Sequence, residues 1–227
     1  PSSIHAMVDH RGQAKDYDDW ERAGNPGWGY DAVKSIYESF EDLSTGNIRE
    51  QSQYSGTTNQ NRLSVYDASA EYHSLKDDFG KAFLQAGLVK PDTPCLEGEG
   101  VGPYLINTRS GQRCSSSTAF LHPAAKRSNL EILNNATVTR INTMERKATG
   151  VSCLVADNPV EIRARREVLL CAGAVNSPQL LQLSGIGPGK VLQAHGIQPA
   201  LEHPHVGKHL QDHIGISYFY RANRPTL

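Results

Sequence analysis

The residues that decide the fold are 168–187, which read VLLCAGAVNSPQLLQLSGIG. The four apolar residues 168–171 predict a strand covered on both faces, as in parallel sheets. Small residues follow at 172–174, and Ser177 and Pro178 suit the N-cap and the first position of a helix. This order of strand, bend and helix is the one with which α/β folds hold dinucleotide phosphates or the edge of a flavin. An ordinary strand-to-helix turn has the same local pattern, so both interpretations stay open at this point.

Hydrophobic patterns predict further elements on the N-terminal side of this stretch. Residues 44–62 are polar and predict a surface loop. Cys171 lies in an apolar run and is predicted to be a buried small hydrophobe. The predicted elements are helices at 30–43 and 75–86, a strand at 63–66, and a meander of short strands at 130–133, 137–141, 150–155 and 160–164.

Composition narrows the class of protein. The chain has 227 residues, of which 38% are hydrophobic and 21% charged, which predicts a soluble globular fold with a sizeable core. A net charge of -1 gives no reason to expect nucleic acid as a partner. No run approaches the roughly 20 apolar residues that a transmembrane helix requires. The four cysteines form no CxxC pair, so a zinc ribbon is not expected.

Four histidines, His203, His205, His209 and His213, raise the possibility of a metal site. Pro204 and Gly207 interrupt any helix that could bring them together. We therefore predict that the chain binds no metal.

Residues 173–187 resemble the second signature of the glucose–methanol–choline oxidoreductases over its full length. Three other stretches resemble the same family in the right order. The first is residues 2–7, followed by Arg11-Gly12 and residues 16–20. The second is residues 113–124, which include Arg113-Cys114-Ser115 and Leu121-His122-Pro123. The third is residues 207–213, which read GKHLQDH. The resemblance covers nearly the whole chain and is weakest at 44–100.

The resemblance implies an α/β fold, in which a flavin domain of the FAD/NAD(P)-binding type is combined with a discontinuous α+β substrate domain. Residues 1–45 and 106–205 would belong to the flavin domain. Residues 46–105 would belong to the substrate domain, and 206–227 would begin the return to it. The implied activity is oxidation of a small-molecule alcohol at its CH–OH group, with hydride transfer to FAD and reoxidation by oxygen or another acceptor.

The same resemblance implies which residues contact FAD. Ser2, Ser3 and His5 would lie near the isoalloxazine ring, and the backbone of Val138 would contact the adenine end. Asp212 and His213 would sit where the flavin and substrate domains join. The complete implied set is Ser2, Ser3, His5, Ala6, Val138, Ala172, Gly173, Asp212 and His213.

Several positions depart from the family pattern. Ile4 stands where choline oxidases have the histidine that carries the flavin covalently, so we predict noncovalent FAD. Gly215 stands where the choline-binding subgroup has a glutamate, which disfavours choline as substrate. His5 and His209 each replace the usual asparagine.

The resemblance also places two family features outside the sequence. The GxGxxG motif is expected before Pro1 and the catalytic histidine after Leu227, so we assign no catalytic residue and expect these residues alone to be inactive. Two alternatives remain open. One is a hydroxynitrile lyase on the same framework with a structural FAD, and the other is an inactive truncated product kept as a binding or regulatory remnant.

Overall fold

The computed structural model describes residues 5–45, 61–68, 74–90 and 100–223. The chain divides into two compact units, residues 1–130 with 220–227 and residues 131–219. Both units mix helices with strands. The assignment of chain segments to flavin and substrate domains stays a prediction.

A four-stranded mixed sheet forms the centre of the first unit. Its strands are β1 (Val8–Asp9), β2 (Glu41–Thr45), β3 (Leu63–Asp67) and β4 (Leu105–Ile106). They lie in the order β1, β4, β3, β2, with β2 and β3 parallel and β4 antiparallel to both of its neighbours. Val65, Tyr66 and Leu105 are buried on this sheet. The predicted strand at 63–66 is confirmed as β3.

A short hairpin extends the sheet region, with β5 (Thr108–Arg109) paired to β6 (Gln112–Arg113). Ser110 and Gly111 join the two strands, and both have positive φ, as a tight two-residue hairpin turn requires. A π-helical turn at Ser117–Leu121 and the short helix α4 (His122–Ala124) follow.

Three earlier helices lie among the described residues of the first unit: α1 (Ala14–Arg22), α2 (Tyr30–Phe40) and α3 (Leu75–Gln85). The N–H of Gln13 donates to the Asp16 carboxylate at 2.9 Å and so caps the start of α1. The predicted helix at 75–86 is confirmed as α3. The prediction that a helix continues to residue 43 is wrong, because Glu41 leaves α2 to pair with β3 and to bury its carboxylate.

An antiparallel meander begins the second unit: β7 (Ala136–Met144), β8 (Lys147–Val155) and β9 (Asn158–Arg163). The long helix α5 (Gly173–Leu183) packs on β7. The unit ends with α6 (Gly189–Ala194) and the parallel pair β10 (Ile186–Gly187) and β11 (Leu201–Glu202). The predicted meander is confirmed for its last three strands.

Two predicted strands are absent from this unit. Residues 130–133 and 168–171 have irregular backbone, and Leu169 is 76% exposed. Cys171 is exposed as well, so the prediction that it is buried is wrong. The physical reason is the same for both segments: among the described residues no strand pairs with them, so the apolar run has no ladder to join.

The start of α5 also differs from its prediction. The helix begins at Gly173, so Ser177 is not its N-cap and Pro178 lies inside it. Gly173 has φ +92°, a value open to glycine, and this lets the chain turn into the helix five residues early. Pro178 has no N–H, so the carbonyl of Ala174 loses its helical partner.

Candidate functional site

The first predicted cofactor segment lies at the start of the chain. Ser2 and Ser3 lie outside the described residues. His5 and Ala6 are exposed and form a tight turn with Met7, which leads into β1. The three residues have φ of 58°, 48° and 66°. A run of three non-glycine residues with left-handed backbone is uncommon, and such strained backbone concentrates at functional sites.

Asn107 holds the end of this turn. Its N–H donates to the carbonyl of Met7 at 2.7 Å. Its side-chain Nδ2 donates to the Asp9 carboxylate at 3.1 Å and to the Ser64 carbonyl at 3.3 Å. Asn107 is only 5% exposed, so these bonds form away from water.

A cluster of charges lies beside the turn. The Nε of Arg11 donates to the Glu41 carboxylate at 2.7 Å, and a second guanidinium nitrogen pairs with the same oxygen. The Glu41 side chain is only 2% exposed. Burial raises the pKa of the Glu41 carboxyl above its ordinary value, the Arg11 guanidinium opposes this rise, and the charge of Asp9 adds to it.

Tyr17 links this cluster to the helices. Its hydroxyl donates to the carbonyl of Arg11 and lies 3.3 Å from the hydroxyl of Tyr37. Burial, followed by the hydrogen bond with Tyr37, raises the pKa of the Tyr17 hydroxyl above its ordinary value. The phenol therefore stays neutral and acts as a fixed donor.

The bend at the start of α5 is the second predicted cofactor segment. Ala172, Gly173 and Ala174 are all exposed, and none has a side chain larger than a methyl group. A Cβ added to Gly173 would meet no atom within 4 Å. No side chain caps the helix at Ala172. The bend thus presents open backbone at a helix N-terminus, where unpaired N–H groups favour an anionic group.

Ser184 fixes α5 to the meander. Its Oγ accepts from the N–H of Ile141 in β7 at 2.8 Å and donates to the carbonyl of Leu180 at 2.6 Å. All three residues are buried, with Ser184 fully so. Helix α5, which begins at the bend, is therefore joined directly to β7.

Val138 lies on β7 and is 39% exposed. The pairing of β7 with β8 shifts register between Val138 and Arg140, which marks a β-bulge at Thr139. The Thr139 hydroxyl donates to the Ser152 carbonyl at 3.1 Å across this bulge. Bulges are common beside binding sites, because they redirect the backbone.

The last predicted segment, Asp212 and His213, is exposed and irregular. The N–H of His213 donates to the Asp212 carboxylate at 2.8 Å. The imidazoles of His205 and His209 lie 5.6 Å apart between ring centres. Within the described residues, no group of three or more His, Cys, Asp or Glu is placed to hold a metal ion.

The predicted residues thus fall into two sets. His5 and Ala6 belong to the first unit, and Val138, Ala172, Gly173, Asp212 and His213 belong to the second. All seven are exposed. The open backbone at Gly173 leaves space for an anionic group in front of the helix N-terminus, which a side chain at this position would occupy.

Sequence patterns missed the residues that hold these segments in place, Asn107 and Ser184 above all. Ser184 had one usable signal, since it lies at the end of a predicted helix and precedes a glycine. Asn107 had none, because its partners are 98 and 43 residues away along the chain. Among the residues that the structure describes, no helix has the length and apolar character needed to cross a membrane.

Comparisons with known proteins address the chain as a whole. A family model described as GMC oxidoreductase matches residues 1–215. The alcohol dehydrogenase (acceptor) of Pseudomonas putida is 39% identical over an alignment of 234 positions, which covers 99% of this chain and 40% of that protein. The oxygen-dependent choline dehydrogenase of Vibrio vulnificus is 36% identical, over an alignment that covers 99% of this chain and 39% of that protein. The chain therefore spans about 40% of the length of these curated relatives.

Solved structures show the same likeness. Pyridoxine 4-oxidase from Mesorbium loti aligns with a TM-score of 0.75 and 31% identity, over 89% of this chain and 39% of that one. An FAD-dependent oxidoreductase from Chaetomium thermophilum aligns with a TM-score of 0.77 and 26% identity, over 89% of this chain and 37% of that one. These likenesses confirm the predicted α/β flavoprotein fold class.

Proposed function

Because the chain belongs to the GMC oxidoreductase family, we propose that the protein is an FAD-dependent oxidoreductase that acts on the CH–OH group of a small-molecule alcohol. The observation that carries this proposal is the bend at 172–174, which combines exposed backbone, side chains no larger than methyl and the start of α5. FAD supplies a hydride acceptor when it is bound, and oxygen or another acceptor then takes the electrons.

The chain contributes binding and orientation. By the family resemblance, Ala172 and Gly173 of the second unit would pack against the cofactor, and the backbone of Val138 would contact its adenine end. Asp212 and His213 would belong to the same set. The resemblance also assigns His5 and Ala6 of the first unit, with Ser2 and Ser3, to the residues that would hold FAD.

No residue of this chain is proposed as the base that takes the proton from the substrate hydroxyl. A base must lie within hydrogen-bond reach of that proton. The described site residues include the exposed imidazoles of His5 and His213, and the resemblance assigns both to FAD rather than to the substrate hydroxyl. In this proposal the chain holds and orients the cofactor, and residues 1–227 alone turn over no substrate.

Anaerobic addition of alcohols to the full-length protein loaded with FAD tests the reaction class. Hydride transfer should bleach the visible flavin band, and the colour should return with oxygen or an artificial acceptor. A hydroxynitrile lyase would release cyanide from a cyanohydrin without bleaching the flavin. Choline should bleach the band much less than a neutral alcohol, because Gly215 offers no carboxylate to its quaternary ammonium.

A matched pair of glycine variants tests the bend itself. Gly173→Ala and Gly196→Ala both add a methyl group at positive φ, and in both cases the new Cβ meets nothing within 4 Å of protein. Each should lose about 1 kcal/mol of stability through backbone strain. Only Gly173→Ala should also weaken FAD binding, by about tenfold. Equal FAD affinity in the two variants would contradict the proposed position of the cofactor.

The mode of FAD attachment is tested by denaturation. Ile4 cannot form the covalent link that a histidine makes, so we propose that FAD is held noncovalently. Acid precipitation of the loaded protein should leave the yellow colour in the supernatant. Colour that stays with the chain, and is lost in a His5→Ala variant, would show instead that His5 carries the flavin.

A further inference from the structure

The turn formed by His5, Ala6 and Met7 has a backbone that its residues do not favour by themselves. All three have positive φ and none is glycine. The left-handed conformation is unfavourable for each of them, so the turn persists only where neighbouring contacts determine it. A hydrogen bond that reaches the turn comes from Asn107.

Asn107 contacts both ends of the segment that follows the turn. Its backbone N–H donates to the carbonyl of Met7 at 2.7 Å, which is the last carbonyl of the turn. Its side chain donates to the Asp9 carboxylate at 3.1 Å, two residues further on. Between these bonds, Val8 pairs with Ile106 in the antiparallel register of β1 and β4. The exit of the turn is thereby fixed on both sides.

Asn107 is in turn held by the layer behind it. Its Nδ2 also donates to the Ser64 carbonyl in β3 at 3.3 Å, and its own carbonyl accepts from the N–H of Cys114 at 2.9 Å. The Ser64 hydroxyl donates to the Thr108 carbonyl at 2.7 Å. The side chain of Asn107 therefore ties the strand that follows the turn to the buried centre of the sheet.

We infer that Asn107 is a positioning residue for FAD, acting through Asp9 and Met7 to hold the turn of residues 5–7 in its binding conformation. This inference rests on the proposed function, because it assigns the turn to the flavin. It adds a role for a buried residue that does not itself touch the cofactor. Asp9 takes part as the acceptor that the Asn107 amide requires.

Exchanging the two side chains separates positioning from simple stability. Asn107→Asp removes the donor and places a second carboxylate against Asp9, whereas Asp9→Asn keeps an acceptor for the Asn107 amide. The double variant Asp9→Asn, Asn107→Asp restores a donor and an acceptor between positions 9 and 107 with their order reversed, but it does not restore the bond to the Ser64 carbonyl. Val33→Ala is the matched control, because it removes buried side-chain volume from α2 in the same unit without touching the turn.

The first measurement is FAD binding to the full-length protein, followed by quenching of flavin fluorescence and by the visible circular dichroism of the bound flavin. Asn107→Asp should raise the dissociation constant for FAD about tenfold, which is the change expected when a buried hydrogen bond is lost. It should also change the dichroism of the bound flavin. Asp9→Asn should stay close to wild type, and the double variant should recover part of the affinity, because the bond between positions 9 and 107 returns while the bond to the Ser64 carbonyl does not. Val33→Ala should lower the melting temperature and leave both flavin signals unchanged.

The second measurement needs no cofactor. Hydrogen exchange at the amides of residues 5–9 should be faster in Asn107→Asp than in the wild type and in Val33→Ala, and slow again in the double variant. Exchange and flavin signals that follow stability alone would overturn the inference and leave the proposed function intact. If the wild type binds no FAD, the proposed function fails, and the positioning of the turn is decided by hydrogen exchange.

Discussion

In each of the two units, a buried polar side chain joins separate elements through hydrogen bonds, but the surroundings of the two side chains differ in charge. In the first unit, Asn107 bonds to Asp9 close to the ion pair of Arg11 and Glu41. In the second unit, Ser184 joins Ile141 to Leu180, and no ionisable group takes part. The comparison indicates that the polar contacts of the first unit depend on pH and on charge pairing. The buried bonds of Ser184 contain no ionisable group, so we expect them not to depend on pH.

The two units can be followed separately in solution. Both tryptophans, Trp20 and Trp28, belong to the first unit, so tryptophan fluorescence reports on that unit alone. Their rings lie 5.9 Å apart between centres, and Tyr17 lies 5.5 Å from Trp20, so unfolding should change the emission. The amide of Ile141 reports on the second unit through hydrogen exchange.

The largest effect is expected for Arg11→Ala. This change leaves the Glu41 carboxylate buried without its counter-charge, and breaking a buried pair on one side costs about 3–5 kcal/mol. Denaturant unfolding followed by tryptophan fluorescence should show this loss at neutral pH. Lys15→Ala is the control: Lys15 pairs with Asp19 on the exposed face of α1, so its loss should be barely measurable. A loss as small as that of the control would show that Glu41 stays solvated without Arg11.

A smaller effect is expected for Ser184→Ala. The change leaves the buried N–H of Ile141 without a partner, which costs about 1–3 kcal/mol. Exchange of the Ile141 amide should speed up, while the fluorescence midpoint should not move. Ser35→Ala, which removes an exposed hydroxyl bonded within α2, is the matched control and should be nearly neutral. A shift of the fluorescence midpoint in Ser184→Ala would show that the two units unfold as one.

The sequence predicted best what depends on local pattern. The alternation of apolar residues predicted β3 and the last three strands of the meander, and the glycine after α3 predicted where that helix ends. The resemblance predicted the fold class from four separated motifs. These signals succeed because the neighbours that decide each element lie within a few residues of it.

The failures share a different cause, which is pairing over long distances along the chain. Residues 168–171 have the composition of a buried strand, but composition does not supply the neighbouring strand that a ladder needs. Glu41 reads as the continuation of an amphipathic helix, and it leaves the helix because Arg11, 30 residues earlier, binds its carboxylate. Asn107 carries no motif at all. Such residues are visible only once the strands are in register.

The pH dependence of the first unit sharpens the comparison further. The folded pKa of Glu41 is raised by burial, so its contribution to stability is full below its ordinary value of 4.5 and is lost as pH rises through the folded pKa. The wild type should therefore become less stable relative to Glu41→Gln as the pH rises from about 4 to about 7. Asp19→Asn should show the opposite sign at lower pH: the hydrogen bond from Lys15 lowers the pKa of Asp19 below its ordinary 3.8, so the contribution of Asp19 is lost as pH falls below about 4. A stability difference between wild type and Glu41→Gln that does not change with pH would contradict the pH dependence assigned to this unit.

The smallest effect, and the most local one, is expected for Ser177→Ala. If Ser177 capped the helix, its loss would cost about 1 kcal/mol. In the structure α5 begins at Gly173, so Ser177 lies inside the helix, where alanine is the better helix former by up to about 0.7 kcal/mol. The change should therefore be neutral or slightly stabilising when exchange of the Ile141 amide follows the second unit. A loss near 1 kcal/mol would show that the helix starts at Ser177 in solution and that the bend is longer than three residues.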